Sequence, residues 1–243
     1  MIGAPHFVGF LLAAAGAAIV LATGQGTMAS ALVGFVVACL LVLGFGVPVM
    51  APLSTFVLGS GILTRLGRRL KERSGSAEAN QGRRSPSQVL AKLAVPALLG
   101  VVATATGDGE GWLVIAATAS LAGAFADTTA TEIGPLGRGP VVRWNGLRLE
   151  RAAHGSVGGM SVAGLVAGAG ASAVLAIVAW AVGLVRTPAS VGAVAFAGVA
   201  AAGIESAVAA TPVGVRLGHG GRNVVVSASA AAVAAAMTWG GIR

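Results

Sequence analysis

The sequence predicts an all-α protein: a polytopic bundle of about seven or eight transmembrane helices in a single integral membrane domain (1–243). Of its 243 residues, 56% are hydrophobic and only 10% are charged, whereas a soluble domain carries roughly 25% charged residues. Apolar runs of about 20 residues recur, and each is long enough to cross a bilayer. The 38 glycines let helices approach closely where lipid supplies no hydrophobic drive.

Eight apolar segments follow one another along the chain. They cover residues 7–22, 28–45, 48–63, 89–106, 112–126, 157–185, 191–210 and 224–239. Residues 28–63 would be roughly 50 Å long as one helix, too long for a hydrocarbon core of about 30 Å. We therefore divide them near Pro48 and Pro52, since proline interrupts helices. The third segment is short and either spans the membrane or only dips into it, which leaves seven or eight spans.

The net charge of +8 is concentrated in the loops between these segments. Most of it lies in the loop over residues 65–88, and two further basic loops cover residues 135–156 and residues 211–221, the last with Arg216 and His219. By the positive-inside rule all three loops are cytoplasmic, which predicts a multi-pass protein of the cell inner membrane. The acidic turn at Asp108 and Glu110 then falls on the outer face. The charge indicates topology and phosphate binding, and it excludes a nucleic-acid surface.

The most unusual stretch is 125–134, which places Asp127 at the end of an apolar run and Glu132 five residues later. A carboxylate inside a membrane helix costs roughly 2.5–3.5 kcal/mol on insertion scales, so it marks a functional site by default. Carboxylates and hydroxyls are the ligands that Mg²⁺ prefers. The stretch therefore predicts a Mg²⁺ site. The alternative is that Asp127 caps a helix beginning at Thr128 and Glu132 is solvated.

Further polar groups fall at the same, predicted cytoplasmic, ends of the segments. Glu205 and Asn223 lie there, as does the glycine-rich turn 155–159, whose backbone N–H groups at a helix N-terminus favour an anion. A flexible loop or close helix packing explains that turn equally well. Acids for a cation and bases for phosphates on one face favour phosphoryl or nucleotidyl transfer at the membrane surface. The predicted nucleotide- and phosphate-binding residues are Arg65, Arg83, Arg84, Lys92, Gly155, Ser156, Gly158, Gly159 and Asn223.

Residues 126–134 read Ala-Asp-Thr-Thr-Ala-Thr-Glu-Ile-Gly, and four shorter pieces accompany them, at 59–65, 82–91, 155–161 and 222–224. Together they resemble the phytyl-phosphate kinase family of integral membrane proteins, long classed as a domain of unknown function. That family is distantly similar to CTP-dependent polyprenol kinases and phosphatidate cytidylyltransferases. The departures are Lys92 where the family usually has Asn, Thr129 in place of the signature Trp, and Glu205 where Asp is usual.

The resemblance implies a kinase that transfers a phosphoryl group from a nucleoside triphosphate, CTP favoured, to an isoprenyl or phytyl-type monophosphate lipid. It implies Asp127, Glu132 and Glu205 as catalytic residues, with Mg²⁺ held by Asp127 and Glu132 and assisted by Glu205. The basic residues would neutralise phosphates, the glycine-rich turn would cradle one phosphate, and Asn223 would orient it.

Two rival functions remain open at this point. A CTP-dependent cytidylyltransferase that makes a CDP-lipid would use nearly the same groups. A small-solute transporter would place Asp127 and Glu205 on an ion path, although transporter sites lie near the membrane midplane and these polar groups cluster at one face. The sequence leaves the oligomeric state open.

Overall fold

The computed structural model describes residues 4–66, 82–137, 139–146, 148–153 and 156–239, which form eight α-helices and a three-stranded sheet. The helices are α1 Ala4–Ala22, α2 Met28–Phe45, α3 Met50–Arg65, α4 Pro86–Thr106, α5 Trp112–Ile133, α6 Val162–Ala181, α7 Pro188–Ala209 and α8 Pro212–Thr238. The strands are β1 Val141–Asn145, β2 Arg148–Ala152 and β3 Met160–Ser161. Residues 67–81 of the predicted loop at 65–88, and Gly155, lie outside the described residues.

Seven of the described helices, α1 to α7, are long and apolar enough to cross a membrane. This confirms the predicted all-α transmembrane bundle. The third segment joins a single 3₁₀ turn to α3 and gives a span of 19 residues, Val47–Arg65, which is about 28 Å of helix. It is therefore long enough to cross. The last helix, α8, begins earlier than predicted, at Pro212, and is kinked at Gly218, where φ is +62°.

The helix ends separate onto two faces of the bundle. The backbone N–H of Arg84 donates to the carbonyl of Gln25 (2.9 Å), and the Arg65 guanidinium donates to the carbonyl of Thr23. The ends of α1 and α3 and the start of α4 therefore lie together, on the face that also carries the sheet. We call this the sheet face. The described part of the basic loop thus lies at the sheet face.

The opposite face carries the acidic turn. There the Arg186 guanidinium donates to both carboxylate oxygens of Glu110 (2.9 and 3.0 Å). These hydrogen bonds, and then the positive charge, lower the pKa of Glu110. The rings of Trp112 and Trp239 also meet at this face, with centroids 5.2 Å apart. Basic and acidic turns thus lie at opposite ends of the helices, as the sequence predicts.

The central helix is α5, which is almost entirely buried and packs against α3, α4, α6, α7 and α8. Its small side chains allow this crowding. A Cβ added at Gly123 would lie 2.8 Å from the Cβ of Ala230 on α8. The helix runs without interruption through Asp127 to Ile133. Asp127 is therefore inside a helix, and the alternative that it caps one beginning at Thr128 is wrong.

The sheet was not predicted, since we treated residues 135–156 as a loop. Its strand order is β2-β1-β3, and both pairs are antiparallel, with Arg143 opposite Glu150 and Val141 opposite Ser161. The missed signal is the dipeptide Asn145-Gly146, with φ +60° at the glycine, which is a typical hairpin turn. The turn before β3 also means that α6 begins at Val162, later than the predicted 157.

We predict that the close crossing of α2 and α4 depends on Gly44 and Gly100. A Cβ at Gly100 would lie 2.8 Å from the carbonyl oxygen of Leu40, which is backbone and cannot yield easily. Gly100→Ala should therefore lower the free energy of unfolding by about 1–3 kcal/mol through overpacking, despite the better helix propensity of alanine. Unfolding in a denaturing-detergent titration measures the change.

The matched control for this prediction is Gly170→Ala, because a Cβ at Gly170 meets nothing within 4 Å. This variant should be as stable as the unmodified protein or slightly more so. Equal stability of the Gly100 and Gly170 variants would contradict the proposed crossing.

Candidate functional site

A cavity of about 320 Å³ lies at the sheet face among α5, α6, α7, α8 and the sheet. We call it the polar cavity. Its lining includes Asp127 of α5, Glu205 of α7, Arg222 and Asn223 of α8, and residues 156–159 of the glycine-rich turn. The structure therefore brings together two predicted carboxylates, the predicted amide and the described part of the predicted turn.

Asp127 is held in a buried ion pair with Lys92 of α4. The Lys92 Nζ lies 3.1 Å from Asp127 Oδ2, and the two side chains are only 7% and 17% exposed. Lys92 Nζ also donates to Thr128 Oγ1 (2.7 Å), and Ser227 Oγ of α8 donates to the Lys92 carbonyl (2.8 Å). The ammonium thus offsets the carboxylate charge inside the bundle and ties α4, α5 and α8 together.

Glu205 forms the second ion pair of the cavity. Its Oε1 lies 3.1 Å from Nε of Arg222, and both side chains are largely buried. Arg222 is a site residue that the sequence did not predict, because it falls at the start of the last predicted span. His219, which also lines the cavity, falls in a predicted loop. A signal was present for Arg222, a cation that stands with Asn223 directly before the apolar run beginning at Val224.

The glycine-rich turn packs against α7. Gly158 has φ +72°, its carbonyl accepts from Ser206 Oγ (2.7 Å), and a Cβ there would lie 2.9 Å from the Ser206 carbonyl. The N–H groups of Ser156 and Gly159 bond within the loop, to Ala153 and Ser156 respectively. Close packing thus explains the glycine at 158, and the N–H groups of Val157 and Gly158 remain as candidates to meet a phosphate.

Asn223 carries a buried donor without a partner. The residue is 4% exposed and lines the polar cavity, and its Nδ2 finds no hydrogen-bond partner in the described part of the chain. Leaving a buried polar group unsatisfied costs about 1–3 kcal/mol. A ligand with an acceptor atom in the cavity would remove that cost, which favours an oxygen-rich ligand such as a phosphate.

Glu132 does not line the polar cavity. Its position five residues after Asp127 places it about 140° further around the helix, and its Oε1 accepts from Thr64 Oγ1 of α3 (2.6 Å). Asp127 and Glu132 therefore do not share the polar cavity, although the predicted metal site requires them to lie together. The carboxylate that shares the cavity with Asp127 is Glu205.

The arginines and the lysine predicted to bind phosphates do not lie together in the structure. Arg84 and Lys92 line a second, mostly apolar space of about 400 Å³ between α1, α2, α3 and α4. The Arg65 guanidinium bonds the end of α1, Arg83 is exposed, and neither lines either space. The positive charge of the polar cavity comes instead from Arg222.

Comparison with known proteins agrees with the membrane architecture. The model of a family described as integral membrane protein DUF92 matches residues 7–216. The chain belongs to this family. It is also 34% identical over 165 residues to an uncharacterized membrane protein of Synechocystis sp.; the match covers 65% of this chain and 60% of that relative. No solved structure matches the chain.

The two carboxylates of this DUF92 protein meet one requirement of a Mg²⁺ site. Within the described ranges, no three His, Cys, Asp or Glu side chains form a metal-binding group, so a complete protein cage is not present there. Mg²⁺ usually keeps several waters and is bound by one or two carboxylates together with substrate phosphates. Asp127 and Glu205 lining one cavity fit a Mg²⁺ ion that arrives with phosphate groups.

We predict that the Lys92–Asp127 pair stabilises this DUF92 protein as a unit. Lys92→Met leaves the Asp127 carboxylate buried without its cation and should lower the free energy of unfolding by about 3–5 kcal/mol. The double variant Lys92→Met/Asp127→Asn removes both charges and should recover most of that loss. Unfolding of the single and double variants in a denaturing-detergent titration measures the coupling.

Glu110→Gln is the control, because it removes one partner of an exposed ion pair and should leave stability unchanged. A double variant as unstable as the sum of its two single variants would show that the charges do not depend on each other.

Proposed function

We propose that the protein is a membrane-embedded, nucleotide-dependent kinase, CTP favoured, that converts an isoprenyl or phytyl-type monophosphate to the diphosphate with the help of Mg²⁺. The observation that carries the proposal is the polar cavity. It combines two carboxylates, an arginine, a buried amide without a partner and a glycine-rich turn. Its position at the ends of membrane helices suits a water-soluble donor and a lipid acceptor.

The residues of the cavity suit phosphoryl transfer because this reaction needs positioning and charge stabilisation more than covalent help from the protein. Arg222 would neutralise a phosphate of the nucleotide, and Glu205 would hold its guanidinium in the cavity. Asn223 Nδ2 would donate to a phosphate oxygen. The turn precedes β3 and not a helix, so the N–H groups of Val157 and Gly158 would approach another phosphate oxygen as successive donors of a turn.

Asp127 and Glu205 would hold Mg²⁺ with the nucleotide phosphates, and the ion would supply further neutralisation of the developing charge. The acceptor is a phosphate monoester, whose oxygen is already ionised near neutral pH, so no strong general base is needed. That oxygen would attack the γ-phosphorus of CTP, the bond between the γ-phosphorus and the bridging oxygen would break, and CDP would leave.

Product analysis tests the proposal. We expect the purified protein in lipid nanodiscs, given CTP, Mg²⁺ and geranylgeranyl monophosphate, to release CDP and form the lipid diphosphate. Pyrophosphate and a CDP-lipid would identify a cytidylyltransferase instead, because attack would then occur at the α-phosphorus. Release of neither product with any nucleoside triphosphate would overturn the proposal of an enzyme.

Two variants connect this turnover to the cavity. Asp127→Asn should reduce it at least about 100-fold, as expected when a group that stabilises transition-state charge is removed. Asn223→Leu should also reduce turnover. It should leave stability unchanged or increased, since the buried Nδ2 that it removes has no hydrogen-bond partner among the described residues. Glu110→Gln on the opposite face is the matched control and should turn over normally. Unchanged turnover of both cavity variants would contradict these roles.

A further inference from the structure

The second space in the protein, which we call the apolar groove, has a volume of about 400 Å³. Ligand pockets usually measure about 300–1,000 Å³. The groove lies between α1, α2, α3 and α4, and α2 and α3 make few direct contacts with each other although they are consecutive helices. Much of its lining is small or apolar, including Ala13, Gly16, Ala31, Gly34, Ala38 and Leu53.

One end of the groove is polar and cationic. Arg84, Gln88 and Lys92 line it at the start of α4, and the hydrogen bond from the Arg84 backbone to Gln25 (2.9 Å) fixes the chain there. Ser60 of α3 also lines the groove. Its Oγ is buried, with the residue 1% exposed, and among the described residues it has no hydrogen-bond partner. An apolar tube ending in two cations and an unpaired hydroxyl is complementary to an amphiphile with an anionic head.

The cationic end of the groove adjoins the polar cavity through one ion pair. Lys92 lines the groove, and Asp127, to which it is paired at 3.1 Å, lines the polar cavity. A head group bound beside Lys92 would therefore lie at the boundary between the two spaces, one ion pair away from the cavity. Among the described ion pairs, this is the only one whose two members line different spaces.

We propose that the apolar groove binds the single hydrocarbon chain of a lipid phosphate, with the phosphate monoester head at Arg84 and Lys92. The identity of this lipid as the phosphoryl acceptor rests on the proposed function, whereas the binding site rests on the groove itself. Arg84 would supply positive charge for the phosphate monoester, the Lys92 ammonium beside it is shared with Asp127, and Ser60 provides a further donor along the groove. The groove holds the acceptor and the polar cavity holds the donor.

The test is equilibrium binding of radiolabelled geranylgeranyl monophosphate to the protein in phosphatidylcholine nanodiscs without nucleotide. Gly34→Leu fills the groove, and a Cβ at Gly34 meets nothing within 4 Å, so the backbone is not forced apart. It should weaken binding at least about tenfold, because the leucine side chain occupies the space of the chain. Gly16→Leu, also free of Cβ contacts, serves if the first variant does not fold.

The matched control is Gly170→Leu on α6, which is exposed, lies outside both spaces and has no Cβ contact within 4 Å. It should bind the lipid phosphate as the unmodified protein does. Unchanged binding by the Gly34 and Gly16 variants would contradict the proposal that the groove binds the lipid chain. Equal weakening by Gly34→Leu and Gly170→Leu would contradict it as well.

Competition experiments test the head-group end and separate a lipid phosphate from free phosphate. Unlabelled geranylgeranyl monophosphate should displace the probe, geranylgeraniol should do so at least about tenfold more weakly, and inorganic phosphate should not displace it at all. Arg84→Gln should abolish the preference for the phosphate over the alcohol. An alcohol that competes as well as the phosphate would overturn the assignment of the cationic end.

The two proposals fail in different ways. If Gly34→Leu loses lipid binding but the unmodified protein turns over no nucleotide, the groove is supported and the kinase is wrong. If the unmodified protein makes the lipid diphosphate and Gly34→Leu retains the same KM for the lipid, the kinase is supported and the groove is wrong.

Discussion

Asp127 places a carboxylate inside α5, the helix that packs against five others, and its charge has to be offset there. Lys92 of α4 provides the offset at 3.1 Å. Because Ser227 of α8 bonds the backbone of Lys92, the pair also fixes how α4, α5 and α8 meet. A second pair, between Glu205 and Arg222, joins α7 to α8 at the same face. Two buried charge pairs thus determine where the polar ends of the helices converge.

These pairs divide the bundle into two halves with different chemistry. Helices α1 to α4 enclose an apolar groove with a cationic end, whereas α5 to α8 and the sheet enclose a polar cavity. The Lys92–Asp127 pair lies at the boundary between them, with Lys92 lining the groove and Asp127 lining the cavity. In the proposed kinase this division assigns the lipid to the first half and the nucleotide to the second. The family that the sequence resembles usually has asparagine at position 92. Lys92 supplies an ammonium ion there, which an asparagine would lack.

The sequence was sufficient for the parts of the fold that depend on hydropathy and charge. It predicted the seven spans α1 to α7, whereas α8, which contains the predicted segment 224–239, is not among the described helices that are long and apolar enough to cross. It also placed Glu205, Asn223 and the glycine-rich turn at one face because alternate helix ends meet there. It did not predict contacts that depend on helix rotation. The five-residue spacing of Asp127 and Glu132 turns them toward different neighbours, so Glu132 bonds Thr64. Arg222 was missed because its partner, Glu205, becomes adjacent only when α7 packs against α8.

The most direct measurement is a cryo-EM structure of the protein in a lipid nanodisc with a prenyl monophosphate and a non-hydrolysable CTP analogue. We expect the nucleotide phosphates beside Asp127 and Glu205 in the polar cavity, with the lipid chain in the apolar groove and its phosphate beside Arg84 and Lys92. Density for both ligands outside these two sites, with the Lys92–Asp127 pair far from either, would contradict the account.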